Sequence, residues 1–224
     1  MLACEGSATL LIHDSLLIPC LLERALHDGS HEVRTEATDA IGRLAAFIKA
    51  PMAEHQHILD ALSHLASSPT TQPEVLALAL MQQASQPENR ASMVERIVLL
   101  ESLAQVALST DTTNQAKEYA CCALLDLTKQ ENGLDRLAIC SILEALTENS
   151  KTGSNRNNDH DNNNQRRVFG IQALVNLAKV RTNRKAMANH NRLLQTLVHF
   201  AASSSVREVK SDVKRTILML VSEL

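Results

Sequence analysis

One helical motif occurs five times in the chain and limits the folds that it can adopt. Each copy has a small residue first, a small or apolar residue three positions later, and larger or apolar residues at the fourth and seventh positions after it. This spacing puts the four side chains on one stripe of a helix. The five copies begin at Ala37, Ala77, Ala120, Gly170 and Val213.

The spacing between copies predicts a stacked repeat architecture. Successive copies are 40, 43, 50 and 43 residues apart. A helical motif with a period of about 40 residues is typical of α-solenoids, in which stacked units bury apolar stripes that one unit could not bury alone. Hydrophobic residues make up 45% of the chain, whereas aromatic residues make up only 2%. We therefore predict an all-α fold, an α-α superhelix of about five repeats that forms one domain over residues 1–224.

Each unit is expected to contain a partner helix followed by a helix that carries the motif, which we call the organising helix. The organising helices are predicted at residues 33–48, 74–84, 115–128, 166–178 and 206–224, and the partner helices at 16–27, 57–66, 94–108, 138–148 and 192–202. Short connectors are predicted at residues 88–93, 132–137 and 182–189. The Asn-rich stretch 150–165 is predicted to be a disordered insertion in the fourth repeat, because it offers no apolar side chain to bury.

The fourth copy carries a resemblance to a known family. Residues 170–178 read GIQALVNLA, which resembles the pattern A-x-x-A-L-x-N-L-A in the third helix of the armadillo repeat. Asn89, Asn132 and Asn183 lie 12 or 13 residues after the first residue of a copy, where armadillo repeats tend to have Asn. The chain thus resembles an armadillo-repeat protein from about residue 14 to residue 224, and the resemblance implies a right-handed solenoid.

The first unit resembles the related HEAT repeat more closely. Residues 31–34 read HEVR and are followed by Ala37 and by the sequence AIG at residues 40–42. We therefore expect a mixed armadillo/HEAT-like array. Because such arrays serve many functions, the resemblance is specific for the fold and nearly silent on activity.

The resemblance also implies a binding surface. In armadillo proteins the third helices line a concave groove that binds an extended peptide, so we expect a groove about 50 Å long that holds about 15 residues. Its positions are those two before, two after and six after the first residue of each copy, which we call the groove positions. They are Thr35, Asp39, Arg43, Val75, Ala79, Gln83, Glu118, Cys122, Asp126, Val168, Gln172, Asn176, Ser211, Arg215 and Met219.

The same positions disfavour a nuclear import receptor. Importin alpha, another branch of the family, has Trp at the middle groove position and Asn at the last, whereas this chain has no Trp and only Asn176 matches. Mixed polar groups at these positions could still hydrogen-bond the backbone of an extended peptide.

Charge is distributed unevenly along the array. Residues 1–110 contain 6 Lys and Arg against 13 Asp and Glu, whereas residues 165–224 contain 11 against 3. Arg181, Arg184 and Lys185 fall in one connector, which predicts a basic edge that attracts an acidic or phosphorylated segment. The alternative is a solvated helical face whose charge only keeps the protein soluble. Nucleic-acid binding is disfavoured because no aromatic residue is interleaved for base stacking.

No motif indicates catalysis. Nine histidines and five cysteines occur, but none has the spacing of a metal site, and the reactive Cys-His and Ser-His signatures are missing. Cys121 and Cys122 diverge by about 100° on a helix, so they cannot enter one site together. We predict no enzyme activity, no cofactor and no metal.

The preferred function is therefore a non-catalytic scaffold that binds an extended or acidic protein segment along the groove. The alternatives are a terminal or regulatory module of a larger protein, such as a signalling or ubiquitin-pathway adaptor, and an enzyme or metalloprotein with an unrecognised site. A nuclear transport adaptor is less favoured than either. A longer chain or a homo-oligomer would cap the ends of the array. No stretch is apolar enough to span a membrane, and the cysteine usage favours the cytoplasm or the nucleus.

Overall fold

The computed structural model describes residues 16–47, 56–68, 71–130, 140–150, 160–190, 192–203 and 207–224. These residues form twelve α-helices and no β-strand. In chain order the helices are α1 (Leu17–His27), α2 (His31–Phe47), α3 (Gln56–Ala66), α4 (Pro73–Ser85), α5 (Pro87–Val94), α6 (Ile97–Leu108), α7 (Asn114–Leu127), α8 (Cys140–Asn149), α9 (His160–Lys179), α10 (Arg181–Ala188), α11 (Leu193–Ser203) and α12 (Arg207–Val221).

The helices form two stacked rows. The organising helices α2, α4, α7, α9 and α12 contact one another in that order, and the partner helices α1, α3, α6, α8 and α11 do the same. Each partner helix also contacts the organising helix of its own unit. The fold is therefore an all-α repeat superhelix, as the period of the motif predicted.

The motif side chains form the core between the two rows. Of the twenty motif positions, sixteen are buried, and the other four are half-buried: Ala40, Leu44, Met81 and Ile217. Gly170 fits the most crowded of these positions, because a Cβ there would lie 2.5 Å from Ser150 Oγ and 3.0 Å from the carbonyl oxygen of Leu146. The missing side chain of Gly170 is what lets α9 approach its partner helix α8 this closely.

Two organising helices end in the same way. Only Gln86 separates α4 from α5, and only Val180 separates α9 from α10. Each short helix then has an Asn-Arg pair whose Asn side chain is buried, at Asn89 and Asn183. The amide of Asn183 donates to the carbonyl oxygen of Leu177 at 3.2 Å.

The arginines of these pairs cap the preceding helix. Arg90 Nε donates to the carbonyl oxygen of Ala84 at 2.8 Å, and Arg184 Nε donates to that of Ala178 at 2.9 Å. The Nη2 atom of each guanidinium donates to the carbonyl oxygen of the following residue, Ser85 for Arg90 and Lys179 for Arg184. These bonds satisfy C-terminal carbonyl groups that have no partner within their own helix, and they place a cation at the negative end of the helix dipole.

The structure departs from the sequence prediction at the Asn-rich stretch. Of residues 150–165, predicted as a disordered insertion, Ser150 is buried at the end of α8 and residues 160–165 form the first turns of α9. A helix adds one hydrogen bond for each residue by which it grows, so polar residues can extend it without being buried. Residues 151–159, residues 1–15 and the connector predicted at 132–137 lie outside the described residues.

None of the described helices combines the length and the apolar composition that crossing a bilayer requires.

Candidate functional site

Two of the three groove positions of α4 are inside the protein, contrary to prediction, whereas the third, Val75, is half-buried. Ala79 and Gln83 are each only 1% exposed, so neither can touch a peptide in a groove. Gly42 on α2 explains this: a Cβ there would lie 2.9 Å from Val75 Cγ1 and 3.7 Å from Ala79 Cβ. Without a side chain at position 42, α2 comes close enough to cover this face of α4.

Gln83 has a structural role at this contact. Its amide nitrogen donates to the carbonyl oxygen of Ala45 near the end of α2, and its amide oxygen accepts from Asn89 Nδ2 at 2.9 Å. The side chain therefore joins α2, α4 and α5 through hydrogen bonds that are out of reach of water.

On α2 itself, the predicted groove residues are accessible but paired with each other. Asp39 is half-buried and forms an ion pair with Arg43, which is exposed one turn later on the same helix. Such a pair stabilises a helix only slightly, so both side chains remain available to a partner.

The groove positions of α7 are half-buried. Asp126 forms an ion pair with Lys129, and Glu118 lies two turns earlier on the same face. Burial raises the pKa of the Cys122 thiol, and the charge of Asp126 raises it further. The pKa of Cys121 is raised to about 12, also by burial. Both thiols therefore stay protonated at neutral pH and are poor nucleophiles.

Between α7, α9 and α12 the groove opens into two adjoining hollows. The first has a volume of about 320 Å³ and the second about 230 Å³. They share Val175, Lys179 and Asp212. The first is lined in addition by Leu125, Lys129, Gln172, Asn176 and Val209, and the second by Arg184, Arg215, Thr216 and Met219. The structure thus brings together the predicted groove residues Gln172, Asn176 and Arg215.

These hollows have a positive lining. Four cationic side chains (Lys129, Lys179, Arg184 and Arg215) face one carboxylate, Asp212. Lys129 is already paired with Asp126, and Arg184 with the end of α9. Lys179 and Arg215, both exposed, are the cations that an arriving ligand would meet first.

Asn176 is already hydrogen-bonded on both sides. Its amide nitrogen donates to Thr128 Oγ1 at 3.1 Å, and its amide oxygen accepts from Lys179 Nζ at 2.8 Å. The first of these bonds joins α9 to the end of α7, as Gln83 joins α4 to the end of α2. Gln172 makes no side-chain hydrogen bond to any described residue, so it is the amide with free capacity in the first hollow.

The predicted basic edge divides into two kinds of residue. Arg181 and Lys185 are exposed on α10. Arg184 is half-buried and uses its guanidinium to cap α9, so its first role is structural. It nonetheless lines the second hollow, which links the edge to the groove.

Sequence reasoning missed two features of this site. Lys179 and Asp212 lie outside the groove positions, and only the stacking of α9 on α12 puts them in the same hollows. The capping arginines could have been found, because Asn89-Arg90 and Asn183-Arg184 repeat one dipeptide at equivalent places. Among the described residues, no three His, Cys, Asp or Glu side chains are grouped so as to hold a metal ion.

Comparison with known families and structures agrees with this geometry. Residues 17–48 match the family model of the HEAT repeat, which confirms the HEAT-like character predicted for the first unit. A designed armadillo repeat protein superimposes with a TM-score of 0.66 at 19% identity, over 96% of this chain and 87% of that one. The chain has the armadillo/HEAT-like repeat fold.

Other armadillo/HEAT-like structures match over similar lengths. An armadillo repeats only protein from Plasmodium falciparum has a TM-score of 0.62 at 12% identity and covers 95% of this chain and 97% of its own. A designed armadillo repeat protein in complex with the peptide (KR)4 has a TM-score of 0.52 at 16% identity, over 91% and 99% of the two chains. At these identities the likeness is one of fold. No curated protein matches the sequence.

Proposed function

We propose that this armadillo/HEAT-like chain is a non-catalytic scaffold that binds an extended acidic protein segment in the two hollows between α7, α9 and α12. The observation that carries the proposal is the lining of these hollows, which has four cations against one carboxylate around an apolar floor that includes Val175. An acidic ligand is attracted to such a surface over a distance of about 10 Å at moderate salt.

The similarity to a designed armadillo protein that holds a peptide supports a peptide as the ligand of this chain, but it does not support an acidic one. That peptide, (KR)4, is basic. The hollows of this chain have the opposite preference, because Lys179 and Arg215 would repel a basic peptide. We therefore expect an acidic segment with apolar residues that contact Val175 and Met219.

We expect a bound segment that is shorter than the whole array would hold. Because Ala79 and Gln83 are buried and interrupt the groove between α2 and α7, we place the ligand on α7, α9 and α12. At about 10 Å for each helix, three helices span about 30 Å, or roughly nine residues of extended chain. We expect a segment of this length rather than the 15 residues that five helices would hold.

A charge-reversal experiment tests the proposal. Binding of a fluorescein-labelled (Asp-Glu)4 peptide is measured by fluorescence anisotropy, and we expect the double variant Lys179→Glu/Arg215→Glu to weaken it about tenfold or more, since reversing two adjacent charges exceeds 1.4 kcal/mol. The matched control is Arg181→Glu/Lys185→Glu, which makes the same charge change on exposed α10 residues outside the hollows. We expect it to change the affinity less than about threefold.

Two results would contradict the proposal. If the control pair weakens binding as much as the groove pair, the ligand is held by the basic edge or by general attraction. If wild-type protein binds (KR)4 more tightly than (Asp-Glu)4, the assigned polarity of the groove is wrong.

A further inference from the structure

The last organising helix, α12, has an apolar face that no helix of the described chain covers. Leu218 is 73% exposed and Val221 is 53% exposed on this face. Val198, on the neighbouring partner helix α11, is also 53% exposed. Apolar side chains that are exposed singly are common, but these extend along the same end of the array.

The other units show what this face does. We define the forward stripe as the positions three before, and one, five and eight after, the first residue of each copy of the motif. In α7 and α9 its members are Lys117, Cys121, Leu125, Thr128, Arg167, Ile171, Val175 and Ala178, and the last three of each helix are buried. Two contacts show where it points: Gly42 of α2 approaches Val75 and Ala79 of α4, and Thr128 of α7 accepts from Asn176 of α9. In α2, α7 and α9 the forward stripe therefore packs against the next organising helix, whereas on α4 its members are half-buried or exposed.

On α12 the forward stripe consists of Lys210, Lys214, Leu218 and Val221. Its first half is basic and its second half is apolar. Lys214 is exposed and Lys210 is half-buried. This surface is suited to another organising helix whose first half is acidic.

The helix α2 has that character on its opposite side. Glu32 and Glu36 are exposed, and Asp39 is half-buried, three residues after Glu36, followed by Arg43. The spacings of 4, 3 and 4 residues put these four side chains on one stripe of the helix. Asp39 and Arg43 occupy the groove positions that, in α4, are Ala79 and Gln83, which are covered by the preceding organising helix.

We propose that the chain associates with itself head to tail, with α12 of one copy packed on α2 of the next as one organising helix packs on another. The internal contacts fix the register. The residue five after the motif start contacts the residues two before and two after the motif start of the next unit, as Gly42 contacts Val75 and Ala79. The residue eight after the motif start contacts the residue six after the motif start of the next unit, as Ala45 contacts Gln83. Leu218 then contacts Thr35 and Asp39, and Val221 contacts the aliphatic stem of Arg43. Because these contacts ascend along both helices, the helices are parallel. Lys214, one turn before Leu218, then lies nearest Glu32, and Lys210 lies beside the first turn of α2.

This contact is heterologous and continues the stacking of one organising helix on the next, so it extends as an open array that keeps one free face at each end. Sedimentation velocity of the full chain at low salt should show an average mass that rises past that of a dimer as concentration increases. A Kd of tens to hundreds of micromolar is expected for a contact of one helix pair, so the series runs from about 10 to 500 µM. Raising the salt to 0.5 M should reverse the association, because the Lys–Glu contacts are screened.

Two variants separate head-to-tail association from other modes. Leu218→Glu/Val221→Glu removes the α12 face, and Glu32→Lys/Glu36→Lys removes the α2 face; each variant alone should stay monomeric. All four residues are exposed, so helical circular dichroism should remain that of the wild type. An equimolar mixture should form a dimer and nothing larger, because the intact α12 face of one variant binds the intact α2 face of the other.

The outcomes that would overturn the proposal are distinct. A wild-type protein that remains monomeric throughout the series would do so, and so would a dimer that does not grow with concentration, which indicates a two-fold symmetric contact. A mixture of the two variants that stays monomeric would also overturn it. None of these outcomes bears on peptide binding in the hollows, which is measured at concentrations too low for association.

Discussion

The contact between α2 and α4 and the contact between α9 and α12 use the same repeat positions in different ways. In the first, Gly42 lets the helices approach until Ala79 and Gln83 are buried. In the second, Val175 occupies the place of Gly42 and two hollows open beside it. A repeat position is therefore a core position or a surface position according to the side chain that faces it from the preceding unit.

Replacing the amide at the last groove position should affect the two regions unequally, and this is the largest effect that we expect. Gln83→Ala should lower the free energy of unfolding by about 3 kcal/mol, because the buried carbonyl of Ala45 and the buried amide of Asn89 each lose a hydrogen bond. Asn176→Ala should cost only about 1 kcal/mol, since this side chain is half-buried. Urea denaturation at 25 °C measures both.

The control for this comparison is Gln195→Ala, which removes the same side chain from an exposed position on α11. It should change stability by no more than about 0.5 kcal/mol. Equal losses for Gln83→Ala and Asn176→Ala would mean that the two contacts do not differ as described.

The capping arginines should behave alike in both regions, because their geometry is repeated. Arg90→Met and Arg184→Met should each lower stability by about 1 kcal/mol, since each removes hydrogen bonds from a cation to the last carbonyls of a helix. In a chain of this length that corresponds to a fall in Tm of about 2–4 °C. Arg181→Met, at an exposed position, is the control, and a loss in only one of the two variants would contradict the equivalence.

The smallest expected effect is on the stability of the first unit at low pH. The backbone N–H of Ser30 and, after it, the side chain of Arg24 lower the pKa of Asp28 in the turn between α1 and α2. A carboxylate with a lowered pKa stabilises the fold above its ordinary value of 3.8, and this stabilisation is lost as pH falls through the folded value. Asp28→Asn should therefore reduce the difference in Tm between pH 6 and pH 3.

Hydrogen exchange locates that effect. At pH 3 the amides of α1 and α2 should lose protection before those of α9 and α10 in the wild type, because the Asp28 turn lies in the first unit. If Asp28→Asn leaves the acid-induced loss of Tm unchanged, Asp28 is not the group that gives the first unit its acid sensitivity.

Most of the helical array could be predicted from the sequence because apolar periodicity records which side of a helix is buried. The predicted organising helix 115–128 is observed as α7, Asn114–Leu127, and the connector predicted at 182–189 is α10, Arg181–Ala188. The predicted start of α9 was six residues late, since the polar turns at its beginning have no periodicity to detect.

The groove could be predicted only in part, because it depends on contacts between units. Gln172, Asn176 and Arg215 line the hollows, and their contact with a peptide stays a prediction. Ala79 and Gln83 were assigned to the same surface from their distance along the chain to the first residue of the motif. That distance carries no information about Gly42 of α2, whose missing side chain lets α2 approach α4. A repeat pattern thus indicates which residues are equivalent, whereas the distance between neighbouring units decides which of them a partner can reach.

The single residues Gln86 and Val180 that join the organising helices to the short helices after them have a consequence for engineering. Inserting even a few residues there would separate Arg90 or Arg184 from the carbonyls that each one caps. Between α8 and α9, by contrast, ten residues already intervene. An epitope tag or a reporter domain inserted between Asn149 and His160 would therefore leave both capping arginines beside the carbonyls that they cap.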